Sequence, residues 1–216
     1  FFYARMYVPY IQARYGESAR LSQEFYLRRL FLRGGLIFVE RGGRKIAGSL
    51  FSRRGETMKL VSLGTRDGEI APVKMGALAA LYIFLVDHAE KSGCKRIDFG
   101  GCRPLLQDGV LRFKSKWGAT IWDDGLYPLQ YLIRWQRLNS VVADFFSHSS
   151  LIFYDKGGFS AICVRTPDSN PDDDPLLRKP AIRGIRHMYV MGDGIGKPPF
   201  GPRQNKSECS KHTGLE

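Results

Sequence analysis

LIFVERGGRKIAGSLFSRRGETMKLVSLGT, residues 36–65, contains three β-rich runs separated by glycine turns. Residues 36–40 are short and apolar. Gly42-Gly43 supplies the two positive-φ positions of a compact hairpin. Residues 45–52 carry Ile46, Ala47, Leu50 and Phe51, and Gly55 opens a turn into 57–65. Ser62 and Gly64 break strict apolar alternation in that last run. Turns this short join only antiparallel neighbours, so the stretch predicts an antiparallel meander.

Working upstream, residues 2–15 read as a helix with Tyr3, Tyr7, Tyr10 and Ile11 at helical spacing. Pro9 starts or kinks it, and Gly16 ends it. Ser18 is placed to cap a second helix bearing Leu21, Phe25, Leu27, Leu30 and Phe31, which stops at Gly34-Gly35. Downstream, residues 64–76 read as a loop. Residues 76–92 form a helix that is apolar almost all round and is expected to be buried, with Gly93 just beyond it. A strand at 95–99 ends in Gly100-Gly101, and Asp108 caps a helix over 109–117. A strand at 119–122 follows, then an amphipathic helix over 130–146 with Leu132, Trp135, Leu138, Val142 and Phe145 on one stripe. A hairpin at 151–154 and 159–164 turns at Gly157-Gly158. The order predicts a mixed α/β fold, an antiparallel meander joined to a β–α–β unit. Residues 1–165 are expected to be one domain. Residues 166–216 hold seven of the eleven prolines and the triplet Asp172-Asp173-Asp174, which predicts a largely disordered tail. Within it, 187–191 could dock as a short strand.

The net charge is +12. Residues 1–165 carry 25 Lys/Arg against 14 Asp/Glu, so the excess belongs to the domain rather than the tail. Such a surface attracts phosphates, nucleic acid, a nucleotide-linked substrate or an acidic lipid face. The longest apolar run, 75–86, is too short for a membrane span and stops at Asp87. Four cysteines without C-x-x-C spacing or a histidine cluster imply no metal site and suit a reducing, cytoplasmic setting. The abrupt FFYARMY start predicts a fragment of a longer protein.

Residues 95–119, KRIDFGGCRPLLQDGVLRFKSKWGA, resemble the GNAT superfamily, and more narrowly its FemAB/FemX-like branch. The matching signatures are Asp98-Phe99-Gly100 at a strand end and Phe113-Lys114-Ser115-Lys116-Trp117-Gly118-Ala119 on the next helix. Arg14-Tyr15-Gly16 and the hairpin RGGRKIAGSLF are similar to weaker family features. The resemblance covers about residues 1–130. It implies a mostly antiparallel sheet whose central parallel strand pair splays, with flanking helices. It also implies acyl or aminoacyl transfer to an amine, with acyl-CoA or aminoacyl-tRNA as co-substrate and no permanently bound cofactor. The acceptor would be an amine such as a cell-wall precursor or an amino sugar. FemX-like enzymes carry two such domains in tandem, and this chain would be the second. At 69–78, EIAPVKMGAL departs from the family's pyrophosphate turn, which points away from coenzyme A and towards a donor such as aminoacyl-tRNA.

Aminolysis requires alignment, removal of an amine proton and stabilisation of an oxyanion. Lys114 is the first catalytic candidate, as a cation for the oxyanion or a phosphate; otherwise it is a solvent-facing helical lysine. Asp98 is a base or an orienting group, or alternatively a cap for the following loop. Arg103, Arg112, Lys116 and Trp117 are substrate-binding candidates, with a structural salt bridge as the alternative for Arg103 and core packing for Trp117. Lys74 and Gly76 precede the apolar helix, whose N-terminus could hold a cofactor phosphate. Cys102 has no histidine near it in sequence, and His88 reads as a core residue. The rival function is an inactive GNAT-like module binding nucleic acid or a protein through its basic surface.

Overall fold

The computed structural model describes residues 1–123, 139–155, 158–164 and 182–191. Contacts cluster into two compact units, Phe1–Gly101 and Cys102–Glu216. The expected tail lies largely outside the described residues, as do Leu132, Trp135 and Leu138.

Unit 1 is built on a four-stranded sheet in the order β1-β2-β3-β4. β1 (Gly34–Arg41), β2 (Arg44–Arg54) and β3 (Thr57–Thr65) form the expected antiparallel meander. β4 (Arg96–Asp98) then pairs parallel to β3. A π-helical turn, Tyr3–Tyr7, runs into α1 (Val8–Tyr15), and α2 is Glu24–Phe31. A short α3 (Ala71–Lys74) interrupts the expected loop before α4 (Ala77–Lys91). Leu50 joins Phe2, Met6, Tyr7 and Leu27 in one apolar cluster, whereas the adjacent Phe51 meets His88 of α4. Successive strand residues face opposite ways, so helices cover both sides of this sheet.

Three expectations change here. α2 starts after Gln23, not near Ser18, whose hydroxyl donates back to the Tyr15 carbonyl at 2.7 Å and closes a 3-10 turn instead. α4 is not buried all round. A helix on a sheet turns one side to it, and Ile83 and Phe84 stay 59% and 46% exposed. In β3 the alternation of burial is kept, with Met58, Leu60, Ser62 and Gly64 buried. Gly64 is needed there because a Cβ would lie 2.3 Å from the Met6 carbonyl oxygen.

Unit 2 holds a three-stranded sheet in the order β5-β6-β7. β5 (Leu151–Asp155) and β6 (Gly158–Val164) are the expected hairpin, and β7 (Ile185–Met191) adds in parallel. α5 (Gly109–Ser115) is capped by Asp108, whose carboxylate accepts from the Leu111 amide at 2.9 Å. α6 is Ser140–His148. Leu106, Leu111, Ile152, Ala161, Cys163 and Ile185 form the core. No strand forms at 119–122, where Ile121 makes one backbone hydrogen bond to Arg183. Of the helix expected over 130–146, positions 130–138 lie outside the described residues, and position 139 is not helical. Asn139 is extended, and its side chain accepts from the Val142 amide as an N-cap. Phe146, not Phe145, carries the burial of α6.

The structure is therefore mixed α/β with two mixed sheets. Among the described residues, no helix is long and apolar enough to cross a membrane.

Candidate functional site

In unit 1 the chemistry gathers where β3 and β4 part. The two strands pair only through Thr57–Arg96, Met58–Ile97 and Lys59–Asp98. β3 continues to Thr65, while the other chain turns away at Phe99. Val61 is an extra residue in β3 opposite β2, since Leu50 pairs with Ser62 and Phe51 with Leu60. Such a bulge bends its strand and strengthens the local twist. Asp98 closes the pairing with both carboxylate oxygens engaged. Oδ2 lies 2.8 Å from Lys59 Nζ, and Oδ1 accepts from the Gly100 amide at 2.7 Å. The geometry is that of a capped loop, held by an ion pair about 40% exposed on either side.

Beside this strand end lies a cluster that joins Tyr10, Arg14 and Tyr15 to Tyr82, a residue that the sequence did not single out. The ring of Tyr82, on the inner side of α4, sits 5.0 Å from that of Phe99. Tyr82 is 3% exposed, and its hydroxyl is pushed up to about 12, first by burial and then by Tyr10, with Arg14 opposing. Arg14 donates to the Tyr10 hydroxyl at 3.0 Å and lies over the Tyr15 ring. Burial works against the Arg14 cation, but Tyr10 and Tyr15 outweigh it and raise the guanidinium above its usual value. The sequence signals were Arg14-Tyr15-Gly16, similar to a weaker family feature, and the Tyr10–Arg14 spacing of one helical turn.

A cleft of about 310 Å³ opens at the start of α4, lined by Val39, Glu40, Arg41, Ile46, Met75, Gly76, Ala77 and Ala80. Gly76 caps α4 in the left-handed region, at φ 85°. Of the two expected cofactor residues, Gly76 lines this cleft; Lys74 is exposed and does not. Glu40 and Arg41 give the lining one charge of each sign.

Unit 2 contains the other candidates. Lys114 is 7% exposed, so the solvent-facing alternative does not hold. Taking a lysine out of water demands compensating partners. Cys102 senses the Lys114 charge. Desolvation pushes the Cys102 thiol up, Lys114 pulls it down, and Asp108 adds to the rise, leaving it above its usual range. Arg103, Arg112 and Lys116 are exposed, and Lys116 stands just past the end of α5. Trp117 is half-buried, edge-on to Phe113 at 6.2 Å. In unit 2 the Lys114 charge thus acts on Cys102, while Asp98 belongs to unit 1, paired with Lys59.

Among the described residues, no group of three His, Cys, Asp or Glu side chains is placed to hold a metal ion. No family model, curated protein or solved structure matches this chain.

Proposed function

We propose that this chain is an N-acyltransferase or aminoacyltransferase of the GNAT type, within the FemAB/FemX-like branch. The observation that carries the reading is the parting of β3 and β4. An antiparallel meander is followed by one helix and one parallel strand, paired over three residues only. Past Lys59, the edge of β3 has no β4 partner. Backbone N–H groups at such an edge suit the oxygen of an acyl group as it becomes negative. Val61 bulges at the same place.

The reaction is direct attack of an amine on an activated acyl carbon. The new N–C bond forms as the donor's sulfur or oxygen leaves, and the amine gives up its proton. The donor is an acyl-CoA or an aminoacyl-tRNA. A thiol held above its usual range is a poor nucleophile at neutral pH, so Cys102 does not favour an acyl-enzyme route. Asp98, fixed by Lys59 and Gly100, draws the acceptor amine by charge. Within unit 2, Lys114 supplies a shielded positive charge suited to a phosphate.

The test is a mass-spectrometric screen of amines with acyl-CoAs and charged tRNA supplied separately. The expected result is an acylated amine with one donor class. Lys114→Ala and Asp98→Asn should each lower kcat/KM by about a hundredfold. Absence of transfer, with neither donor class raising the melting temperature, overturns the reading. Binding to tRNA that weakens steeply with salt, without any transfer, would instead identify a nucleic-acid-binding module.

A further inference from the structure

We propose that the outward face of α2 docks unit 1 onto an anionic lipid bilayer. α2 buries Leu27 and partly buries Leu30; most of the rest faces water. Phe25, Arg29 and Leu32 follow one another at i, i+4 and i+7, a single stripe on the side away from Leu27. Phe25 is 59% exposed and Leu32 82%. Two large apolar side chains exposed on one stripe suit a partner that removes them from water.

The charge around that stripe selects the partner. Arg29 lies in it and Arg28 and Arg33 flank it, and all three are exposed. The Arg33 carbonyl accepts from the Arg53 amide at 2.8 Å, which brings the exposed Arg53 and Arg54 of β2 to the same end of the helix. The acid within α2, Glu24, is bound to Arg28 at 2.8 Å. The face is therefore cationic with apolar teeth. That composition fits a helix lying in the headgroup layer, with Phe and Leu reaching the acyl boundary and arginines on lipid phosphates. A nucleic acid would be served by the arginines but gains no stacking from Leu32. A second copy would bring the same arginines against one another. This inference is independent of the acyl-transfer reading.

Flotation of the full chain with vesicles tests it, using phosphatidylcholine alone or mixed equally with phosphatidylglycerol. The chain should float with the mixed vesicles and remain behind with phosphatidylcholine. Phe25→Ser/Leu32→Ser should lower the partition coefficient about tenfold. Arg29→Ser/Arg33→Ser should lower it about fivefold per arginine. Both pairs face solvent, so their thermal melting should match that of the unaltered chain. Hydrogen exchange on the unaltered chain gives a second reading that needs no variant: amides within 24–33 should slow only with the mixed vesicles. Equal flotation with both vesicles, flotation with neither, undiminished binding by both variant pairs, or slowing confined to other segments overturns the proposal. So does RNA binding that needs Arg29 and Arg33 but not Phe25 and Leu32, or protection of 24–33 by self-association without lipid.

Discussion

The two sheets grow by the same device with different results. Each extends an antiparallel segment at one edge with a single parallel strand. In unit 1 that strand, β4, makes three pairs with β3 and then leaves. In unit 2, β7 makes six pairs with β6, along almost its whole length. The first sheet is left with an open seam beside Asp98, Tyr82 and Phe99; the second is zipped shut over an apolar core. A strand that stops early yields less pairing energy and gives access to the backbone. Groups with chemical potential therefore gather at the incomplete edge, whereas Lys114 in unit 2 is held by burial rather than by a strand end.

The sharpest way to break this contrast uses a pair of strand glycines, one from each sheet. Gly64→Ala should destabilise unit 1 by about 3 kcal/mol in denaturant titration, since the new Cβ meets the Met6 backbone, which has no room to yield. A loss below about 1 kcal/mol would mean that the Tyr3–Tyr7 segment is not fixed against the sheet. Next in size is the alkaline limb of stability. Folded Tyr82 keeps its proton to about 12, while the unfolded chain releases it near 10. Its contribution is therefore complete below pH 10 and disappears as pH climbs towards 12, for a loss of about 2–3 kcal/mol. Tyr82→Phe should flatten that limb; an unchanged slope would remove Tyr82 from the explanation.

Helix caps sharpen the comparison further. Asp108→Ala deletes the bond to the Leu111 amide and should cost about 1 kcal/mol in unit 2. The N-cap of α2, Gln23, makes no side-chain capping bond, so Gln23→Ala should be nearly neutral by the same melting assay. The smallest effect belongs to Gly158→Ala. Its Cβ would press on the Arg186 side chain, which is exposed and can swing aside, so the change should stay within about 0.5 kcal/mol. A large loss there would show that β6 is packed as tightly as β3.

What could be read from the sequence follows how local each cause is. The meander was legible because its glycine turns lie between the strands they join. The Asp108 cap was legible because its partner is three residues away. The Ile185–Met191 strand was partly visible in the β-rich run at 187–191. By contrast, Ser18 looked like a helix cap, but its hydroxyl found the Tyr15 carbonyl first. The apolar stripe also ran across Asn139 without marking it as the N-cap at which α6 begins. Tyr82 was hidden in an apolar helix, and its environment comes from Tyr10 and Arg14, far away in sequence. The burial of Lys114 likewise depends on packing that no helical period reveals. Resemblance singled out Lys114, Asp98 and the Arg14-Tyr15-Gly16 segment, but not Tyr82.

The way β7 closes the second sheet also affects how the chain is made. Vectorial synthesis releases the last strand of the first sheet at residue 98, so that sheet can assemble early. The second waits for residue 191 to clear the ribosome, about 5–20 s later at roughly 5–20 residues per second. For the last part of that interval, from Val164 to Met191 and about 1–5 s at the same rate, the β6 edge that β7 will cover is bare and adhesive. The nascent chain is therefore most in need of a chaperone while its first half is already complete.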